Sequence, residues 1–201
     1  MNKSNKLVGG IGTKGCTYPT TFNNKMLKEY DTWKAMLLRC ANTYYIKYPT
    51  YKEVSCSENF KSYTFFYEWC NKQIGFKSLD EKGKYWQLDK DLLLKGNKLY
   101  SEDTCVFLPH KINTLLTKCD SVRGDYPVGV CLDKNQGKFA AYCNDGASQK
   151  MIGRFITIEQ AFQAYKKAKE AYIKQVAEQY KSQIDPRAYK ALLEYEVNIE
   201  D

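Results

Sequence analysis

The sequence predicts an α+β protein made of two small units. Apolar residues recur at spacings of three and four near residues 26–40, 60–71 and 157–184, which is the period of an amphipathic helix. Short apolar runs separated by Gly, Asn and Pro indicate strands and tight turns between those stretches. A chain of 201 residues has room for one mid-sized domain or two small ones, and the interrupted pattern at residues 118–127 favours two.

The composition favours a polyanionic partner. Lys and Arg outnumber Asp and Glu by 31 to 23, which gives a net charge of +8, and 17 tyrosines are spread among the lysines. Cations neutralise phosphates and aromatic rings stack on sugars or bases, so this composition fits a polyanion as partner. The alternative is a moderately basic, Lys-rich soluble protein. The chain has no run of about 18 apolar residues, so we expect no membrane span.

Residues 1–24 predict a flexible basic arm, because they are rich in Gly, Thr, Asn and Lys. They lack the apolar segment of a secretory signal, so we expect the protein in the cytoplasm. The 8 cysteines are then expected to stay reduced, as core residues or metal ligands.

The next stretch predicts two helices with a short strand between them, the strand lying at residues 54–56. We expect Ser57 to cap the second helix. The first helix is expected to bury Met26, Tyr30, Trp33, Met36 or Leu37, and Cys40. The second is expected to bury Phe60, Tyr63 or Thr64, Tyr67, and Cys70 or Asn71.

The stretch "YWQLDKDLLLKGNKLYSEDTCVFLPHKIN", residues 85–113, predicts a strand, a polar turn, a second strand and a helix in that order. The strands are expected in "YWQLDKDLL" and "CVFLP", and the turn centres on Gly96 and Asn97. The helix is expected to begin beyond Pro109.

The second half predicts a three-stranded antiparallel sheet followed by a long helix. Turns are expected at residues 135–137 and 144–146, and Thr157 with Gln160 forms a capping box before the helix. A shorter helix follows, with Asp185 as its N-cap and Pro186 at its first position. The expected core comprises Val128, Val130, Phe139, Ala141, Phe155, Ala161, Phe162 and Tyr165.

Three stretches together resemble phage and bacterial proteins that join an HNH-type (His-Me finger) endonuclease region to an AP2-like DNA-binding domain. They are "YDTWKAMLLRC" with "YPTYKEVSCSENFKSYTFFYEW", then "LDKDLLLKGNKLYSEDTCVFLPHKIN", then "YPVGVCLDKNQGKFAAYCNDGASQKMIGRFITIEQAFQAYKKA". Each stretch alone is a moderate or weak signal, whereas their order is specific and covers nearly all the chain beyond the arm.

The resemblance implies a small ββα-metal core with flanking helices, followed by an AP2-like three-stranded sheet packed on a helix. The implied divisions are the arm at 1–24, an endonuclease-like domain at 25–118, an AP2-like domain at 119–180 and a helical tail at 181–201. It also implies double-stranded DNA as partner, Mg²⁺ or Mn²⁺ as cofactor and a bacterial or infected host cell as the location.

On the family pattern, Asp89 occupies the metal-ligand carboxylate, Asn97 the central asparagine that braces the loop, and Asn113 the final Asn or His on the helix. The only histidine, His110, is a candidate metal ligand or displaced base, or else a surface residue. Asp89 and Asp91 have the alternative role of polar strand and turn residues. Asn97, beside Gly96, has that of a turn former.

Lys90 falls where the family carries its general-base histidine. A lysine near a phosphodiester and a metal keeps its proton for electrostatic reasons, and a protonated amine accepts no proton. Lys90 would instead clamp phosphate or stabilise the transition state, with Asp91 or a metal-bound hydroxide activating water.

Four cysteines of the nuclease-like region present two alternatives: buried, reduced core residues or a structural zinc site. No CxxC pair occurs among them. The four are Cys40, Cys56, Cys70 and Cys105.

In an AP2-like domain the sheet faces the major groove, so its outward polar residues are the candidates for DNA contact. Lysines are expected mainly on phosphates, whereas Arg123 and Arg154 have the fork suited to guanine. The candidates are Arg123, Lys134, Lys138, Tyr142, Lys150 and Arg154. The alternative is an interaction domain with a solvated basic face.

Three hypotheses about function follow. The first is a metal-dependent DNA endonuclease, and the motif order favours it. The second is a DNA-binding protein that keeps the nuclease scaffold without cleavage, as a phage regulator or host-interference factor, and Lys90 favours it. The third is a protein-interaction module that binds no DNA.

Overall fold

Residues 7–117 and 124–200 are described by the computed structural model, in which small sheets and six α-helices occur together. The α+β class expected from the sequence is confirmed. The chain divides into two units. The first comprises the residues up to His110 together with Gln183–Ala188, and the second comprises Lys111–Ser182 together with the residues from Tyr189 onward.

The first unit combines short strands with helices. Its strands are β1 (Thr21–Phe22), β2 (Lys25–Met26), β3 (Ser55–Cys56), β4 (Gln87–Asp89), β5 (Leu99–Tyr100) and β6 (Val106–Leu108). Its helices are α1 (Lys28–Arg39), α2 (Tyr44–Lys47) and α3 (Tyr63–Asn71), with 3₁₀ turns at Pro49–Tyr51 and Asn59–Lys61. The helix α4 (His110–Leu115) begins at His110 in the first unit, and its other residues belong to the second unit.

The first predicted helix is present but starts later than the apolar spacing indicated. Met26 lies in β2, where it pairs with Thr21 and is exposed, so it is not part of the helical face. Trp33, Met36 and Leu37 are fully buried as predicted, and the Trp33 indole Nε1 donates to the Phe60 carbonyl at 2.8 Å. This contact ties α1 to the chain that leads into α3.

The predicted cap of α3 was wrong. Ser62, not Ser57, precedes the helix, and its hydroxyl accepts from the Phe65 amide at 3.4 Å. The Ser57 hydroxyl instead accepts from the Phe60 amide at 3.3 Å and donates to Glu102 at 2.9 Å. A 3₁₀ turn between the two serines uses residues that the helical spacing had assigned to the helix itself.

Two strand pairs hold the stretch of residues 85–113 in place. β4 pairs antiparallel with β6, in register from Gln87 with Leu108 to Asp89 with Val106. β3 pairs parallel with β5, so that Ser55 lies beside Leu99. The predicted order of strand, turn, strand and helix is present as β4, the following loop, β6 and α4, but the stretch predicted as the turn also contains the strand β5.

One lysine of this unit lies among aromatic rings. The Lys28 ammonium, at the first residue of α1, is 3.9 Å from the centroid of the Tyr85 ring and 4.4 Å from that of Phe76. The Phe107 ring centroid is 5.9 Å away, and the described residues offer the buried ammonium no hydrogen-bond acceptor. Burial lowers the pKa of Lys28 to about 8.

The second unit contains the predicted sheet and long helix. The strands β7 (Val130–Asp133), β8 (Lys138–Asn144) and β9 (Gln149–Phe155) form one antiparallel sheet in sequence order. The helix α5 (Ile158–Tyr180) packs on it, and Ala161, Phe162 and Tyr165 are buried. Of the other predicted core residues, Val130 and Ala141 are buried, whereas Val128, Phe139 and Phe155 are half-buried.

The caps predicted for the last two helices are confirmed. The Thr157 hydroxyl accepts from the Gln160 amide at 3.3 Å, while the Gln160 side chain accepts from the Thr157 amide at 3.4 Å. The helix α6 (Pro186–Leu193) follows Asp185, whose carboxylate accepts from the Arg187 amide at 2.8 Å. None of the helices described is long and apolar enough to cross a membrane.

Candidate functional site

The candidate site is the loop that connects β4 to β5, here called the Asp89 loop and defined as residues 89–99. Asp89 ends β4, and its Oδ1 accepts from the amides of Asp91 at 3.1 Å and Leu92 at 2.9 Å. Leu92 is buried, so this turn is anchored on the core. One oxygen of the Asp89 carboxylate therefore stabilises the backbone turn.

Burial and a neighbouring charge act on Asp89 in the same direction. Burial, and after it the charge of the nearby Asp91 carboxylate, raise the pKa of Asp89 to about 6. Two carboxylates so close together lower their mutual repulsion by sharing a proton or by binding a cation. The loop thus places paired oxygen donors at the end of β4.

Asn97 closes the Asp89 loop. Its amide Nδ2 donates to the carbonyls of Lys90 and Leu99, each at 2.7 Å, and its Oδ1 accepts from the Leu99 amide at 3.1 Å. One side chain therefore joins the beginning and the end of the loop. Gly96, with φ of +80°, supplies the left-handed turn just before it, so the turn-forming and bracing interpretations of this pair both describe the structure.

Lys90 occupies a defined place in the loop. Its ammonium lies 3.0 Å from Oδ2 of Asp91, and its side chain is only 12% exposed. The ammonium is also 5.8 Å from the ring centroid of Tyr100, a residue of β5. Lys90 is thus an ion-paired residue packed against an aromatic ring, which is unsuited to the role of a proton acceptor.

Arg39 was not among the residues selected from the sequence. It ends α1, and its guanidinium donates to the Tyr100 hydroxyl at 3.4 Å. Burial raises the pKa of Tyr100. Tyr100 therefore has a cation at its ring and another at its hydroxyl, and no local sequence signal connects residues 39, 90 and 100.

The other two predicted metal ligands, His110 and Asn113, belong to the helix α4. His110 is exposed at the start of α4, and Asn113 belongs to the second unit, where its carbonyl accepts from the Thr117 hydroxyl at 3.2 Å. In the two described stretches, no three His, Cys, Asp or Glu side chains are arranged to hold a metal ion.

The four cysteines do not form one cluster in the described residues. The Cys40 and Cys56 thiols share a hydrogen bond, which raises the pKa of Cys40 and lowers that of Cys56. Cys105 is close enough to Cys40 to influence its pKa. Cys70 is buried beside Glu29 and Lys28, in different surroundings. Zinc binding by all four stays a prediction that this geometry does not favour.

In the second unit, three of the predicted DNA contacts lie at one end of the sheet. Lys134 and Lys138 flank the exposed turn between β7 and β8. The Arg154 Nε donates to Oδ2 of Asp133 at 2.7 Å, and this contact lowers the pKa of Asp133. The cations at this end are therefore Lys134, Lys138 and Arg154, with the guanidinium held in place by a carboxylate.

The remaining candidates are distributed differently. Lys150 pairs with Asp145 in the turn between β8 and β9, and Tyr142 is half-buried beside a bulge between Ala141 and Tyr142. Arg123 lies outside the described residues. Comparison of the chain with family models, curated proteins and solved structures gave no match.

Proposed function

We propose that this chain is a DNA-binding, HNH-type endonuclease-like protein, which hydrolyses phosphodiester bonds at the Asp89 loop while the β7–β9 sheet positions the DNA. The observation that carries the proposal is the Asn97 brace. A carboxylate ends one strand, an asparagine closes the loop behind it, and a second strand with a helix follows. That combination supports the family pattern more specifically than any single residue does.

The residues of the loop fit a hard divalent ion. Mg²⁺ in nucleotide-processing sites is commonly held through one or two carboxylates, with waters and substrate phosphates completing its coordination. Asp89 supplies such a carboxylate, and Asp91 lies close enough to raise the pKa of Asp89. Bound Mg²⁺ or Mn²⁺ would supply charge stabilisation for the leaving oxygen.

The side chains of the loop suggest how the protein contributes to the reaction. Asp91 exposes 51% of its side chain and is the carboxylate available to accept a proton from an attacking water. The Lys90 ion pair orients Asp91, and the Lys90 ammonium offers positive charge for a phosphate. Arg154, held by Asp133, and the neighbouring Lys134 and Lys138 would hold the backbone of the duplex.

A second candidate function is DNA binding without cleavage, in a phage regulator or host-interference factor. The Lys90–Asp91 ion pair favours it, because the residue in the place of the general base is a cation engaged with a carboxylate. Under this hypothesis the basic residues of the sheet still bind DNA. The two candidates differ only at the Asp89 loop.

Incubation with supercoiled plasmid in Mg²⁺ or Mn²⁺ tests the first candidate. We expect the protein to convert the plasmid to the nicked or linear form, and we expect EDTA to abolish this conversion. Asp89→Asn keeps an oxygen acceptor for the Asp91 and Leu92 amides but removes the charge. It is expected to lower the nicking rate at least about a hundredfold.

Asp80→Asn is the matched control. Asp80 also accepts two backbone amides in a turn of the first unit, from Lys82 at 2.9 Å and Lys84 at 2.8 Å, so this change alters a similar turn elsewhere. Nicking retained by Asp80→Asn and lost in Asp89→Asn supports cleavage at the loop. A gel shift without nicking supports the second candidate, and neither shift nor nicking contradicts both.

A further inference from the structure

Next to the Asp89 loop lies an exposed stretch of alternating tyrosines and lysines. Residues 44–52, "YYIKYPTYK", contain four tyrosines and two lysines within nine positions. They form α2 and the 3₁₀ turn Pro49–Tyr51. We call residues 44–52 the tyrosine segment; none of them is among the residues assigned above to the cleavage site or the sheet.

The tyrosine segment presents aromatic and apolar surface to solvent. Tyr45 and Tyr48 are each 41% exposed, and Ile46 is 73% exposed. Such surface is unfavourable in water, so three exposed apolar side chains in four positions indicate a contact surface.

Three rings of the tyrosine segment, those of Tyr44, Tyr48 and Tyr51, are held by one another. The Tyr44 ring centroid is 4.8 Å from that of Tyr48, with the planes tilted by 31°, and 5.2 Å from that of Tyr51, nearly perpendicular to it. Tyr44 therefore supports both neighbouring rings. A ring fixed in this way loses little side-chain freedom when a ligand stacks on it.

Cations surround these rings. The Lys47 ammonium is 5.4 Å from the Tyr48 ring centroid, and the Lys98 ammonium donates to the Thr50 carbonyl at 3.2 Å. Lys52 is exposed at the end of the segment, and Glu53 is the acidic residue that follows it. The surface thus combines stacking rings with three ammonium groups, Lys47, Lys52 and Lys98.

We propose that the tyrosine segment and Lys98 bind single-stranded nucleic acid. Bases stack on Tyr45 and Tyr48, and the phosphates between them pair with the three lysines. A duplex keeps its bases stacked on one another, so exposed rings select strands whose bases are free. A lipid surface fits less well, because the segment lacks the Trp, Phe and Leu of interfacial helices.

The position of Lys98 connects this surface to the proposed cleavage site. Lys98 lies between Asn97 and Leu99, the two residues joined in the Asn97 brace. A strand bound to the tyrosine segment would therefore border the Asp89 loop. The inference rests on the proposed function in taking nucleic acid as the partner, but its test requires no cleavage.

The test is fluorescence anisotropy with a labelled single strand of twenty thymidines, in EDTA, at 50 and 200 mM salt. The intact chain is expected to bind this strand. The double change Tyr45→Leu with Tyr48→Leu keeps apolar bulk but removes the rings, and is expected to weaken binding at least about tenfold. The double change to Phe keeps the rings and is expected to stay within about twofold of the intact chain.

A second pair of variants tests the lysines. Lys47→Ala with Lys52→Ala is expected to weaken binding about tenfold at the lower salt and to reduce the dependence of binding on salt. Lys167→Ala with Lys174→Ala removes two exposed lysines from α5 in the other unit and is the matched control. It is expected to leave the affinity for the single strand within about twofold.

Circular dichroism and urea unfolding check that each variant folds. No binding of the single strand by the intact chain overturns the inference, as does unchanged binding by the folded leucine or lysine variants. An equal loss of duplex binding by the leucine variant also overturns it, because stacking on free bases would not be the cause. Plasmid nicking and duplex gel shifts are measured separately, so loss of this inference leaves the proposed function intact.

Discussion

At the scale of single residues, the protein keeps two ionisable side chains in surroundings that oppose their charge. Asp89 is half-buried beside another carboxylate, and both of these surroundings disfavour its charged form. Lys28 is different, because rings rather than acceptors surround its ammonium. Cation–π attraction favours the charged form of Lys28, whereas the loss of water opposes it and lowers the pKa to about 8.

Lys28→Met tests this balance. The pKa of Lys28 in the folded chain, about 8, lies below its ordinary value of 10.5, so between these values the unfolded chain binds more protons. Wild-type stability should therefore rise relative to the variant as the pH rises from 8 to 10.5. Below pH 8 the penalty is fully present, and the variant should be more stable by about 1 kcal/mol.

Urea unfolding at pH 7, 8.5 and 10 measures the free energy of unfolding of the wild type and of Lys28→Met. The titrations of all other groups cancel in the difference between the two values. Lys72→Met, at an exposed lysine, is the control and should show no such trend. A variant that is less stable than the wild type at pH 7 would mean that the rings outweigh desolvation.

At the scale of elements, the Asp89 loop is a long connection whose beginning and end are joined by one side chain, that of Asn97. Its ends are fixed by β4 and β5, which belong to different strand pairs. Between them, Asn97 provides the link from Lys90 to Leu99. Loss of that link frees the backbone that positions Asp89 and Asp91.

Asn97→Ala removes three hydrogen bonds to the backbone and is expected to lower the free energy of unfolding by about 2–3 kcal/mol. Asn71→Ala removes an exposed bond to the Tyr67 carbonyl and a long contact to the Cys70 sulfur at 4.0 Å, and it should cost less than about 1 kcal/mol. Chemical denaturation of both variants gives the comparison. Equal costs would show that Asn97 does not brace the loop.

Elements with local signals could be predicted from the sequence. The turns at Gly137 and Gly146 separate the strands β7 to β9. The Thr157–Gln160 box marks the start of α5, and the long apolar face marks its length. The start of α3 was missed because a 3₁₀ turn and a helix share the same short apolar spacing. The pairing of β3 with β5 was missed because each strand has two residues and carries no pattern.

In the candidate site, too, the residues that are close together in the sequence could be predicted, whereas their distant partners could not. Asp89, Lys90 and Asn97 are close in sequence, and their motif placed them in one loop. Arg39 and Thr50 join the surroundings of that loop through contacts with Tyr100 and Lys98, from which they lie 61 and 48 positions away. Such partners depend on tertiary packing, which periodicity does not specify.

At the scale of the whole molecule, the net charge of +8 sets how binding to a polyanion should behave. Several cations are already paired with carboxylates, such as Arg154 with Asp133 and Lys150 with Asp145. The net charge already subtracts such pairs, but its cations are spread along the whole chain, so the phosphates contacted at one time should be fewer than this excess. We take about four as the number of phosphates contacted, a working value for the salt dependence.

With four contacts, affinity for a short DNA duplex should fall about a hundredfold between 50 and 200 mM salt. Lys138→Ala, which removes an exposed cation from the sheet, should lower the slope of log affinity against log salt by about 1. Gel shifts or anisotropy over a salt series measure both values. Affinity that does not change with salt would argue against phosphate contacts and against DNA as the partner.

The first unit is discontinuous along the chain, since Gln183–Ala188 belongs to it. Arg187 in that segment donates to the Asp103 carbonyl at 3.2 Å and holds Asp185 by a second contact. During synthesis the ribosome releases residues 89–99 long before residue 187, so the unit that carries the Asp89 loop is completed only after Arg187 has emerged. The strands β7 to β9 and the helix α5 precede that segment along the chain, so they are free to form while the first unit is still incomplete.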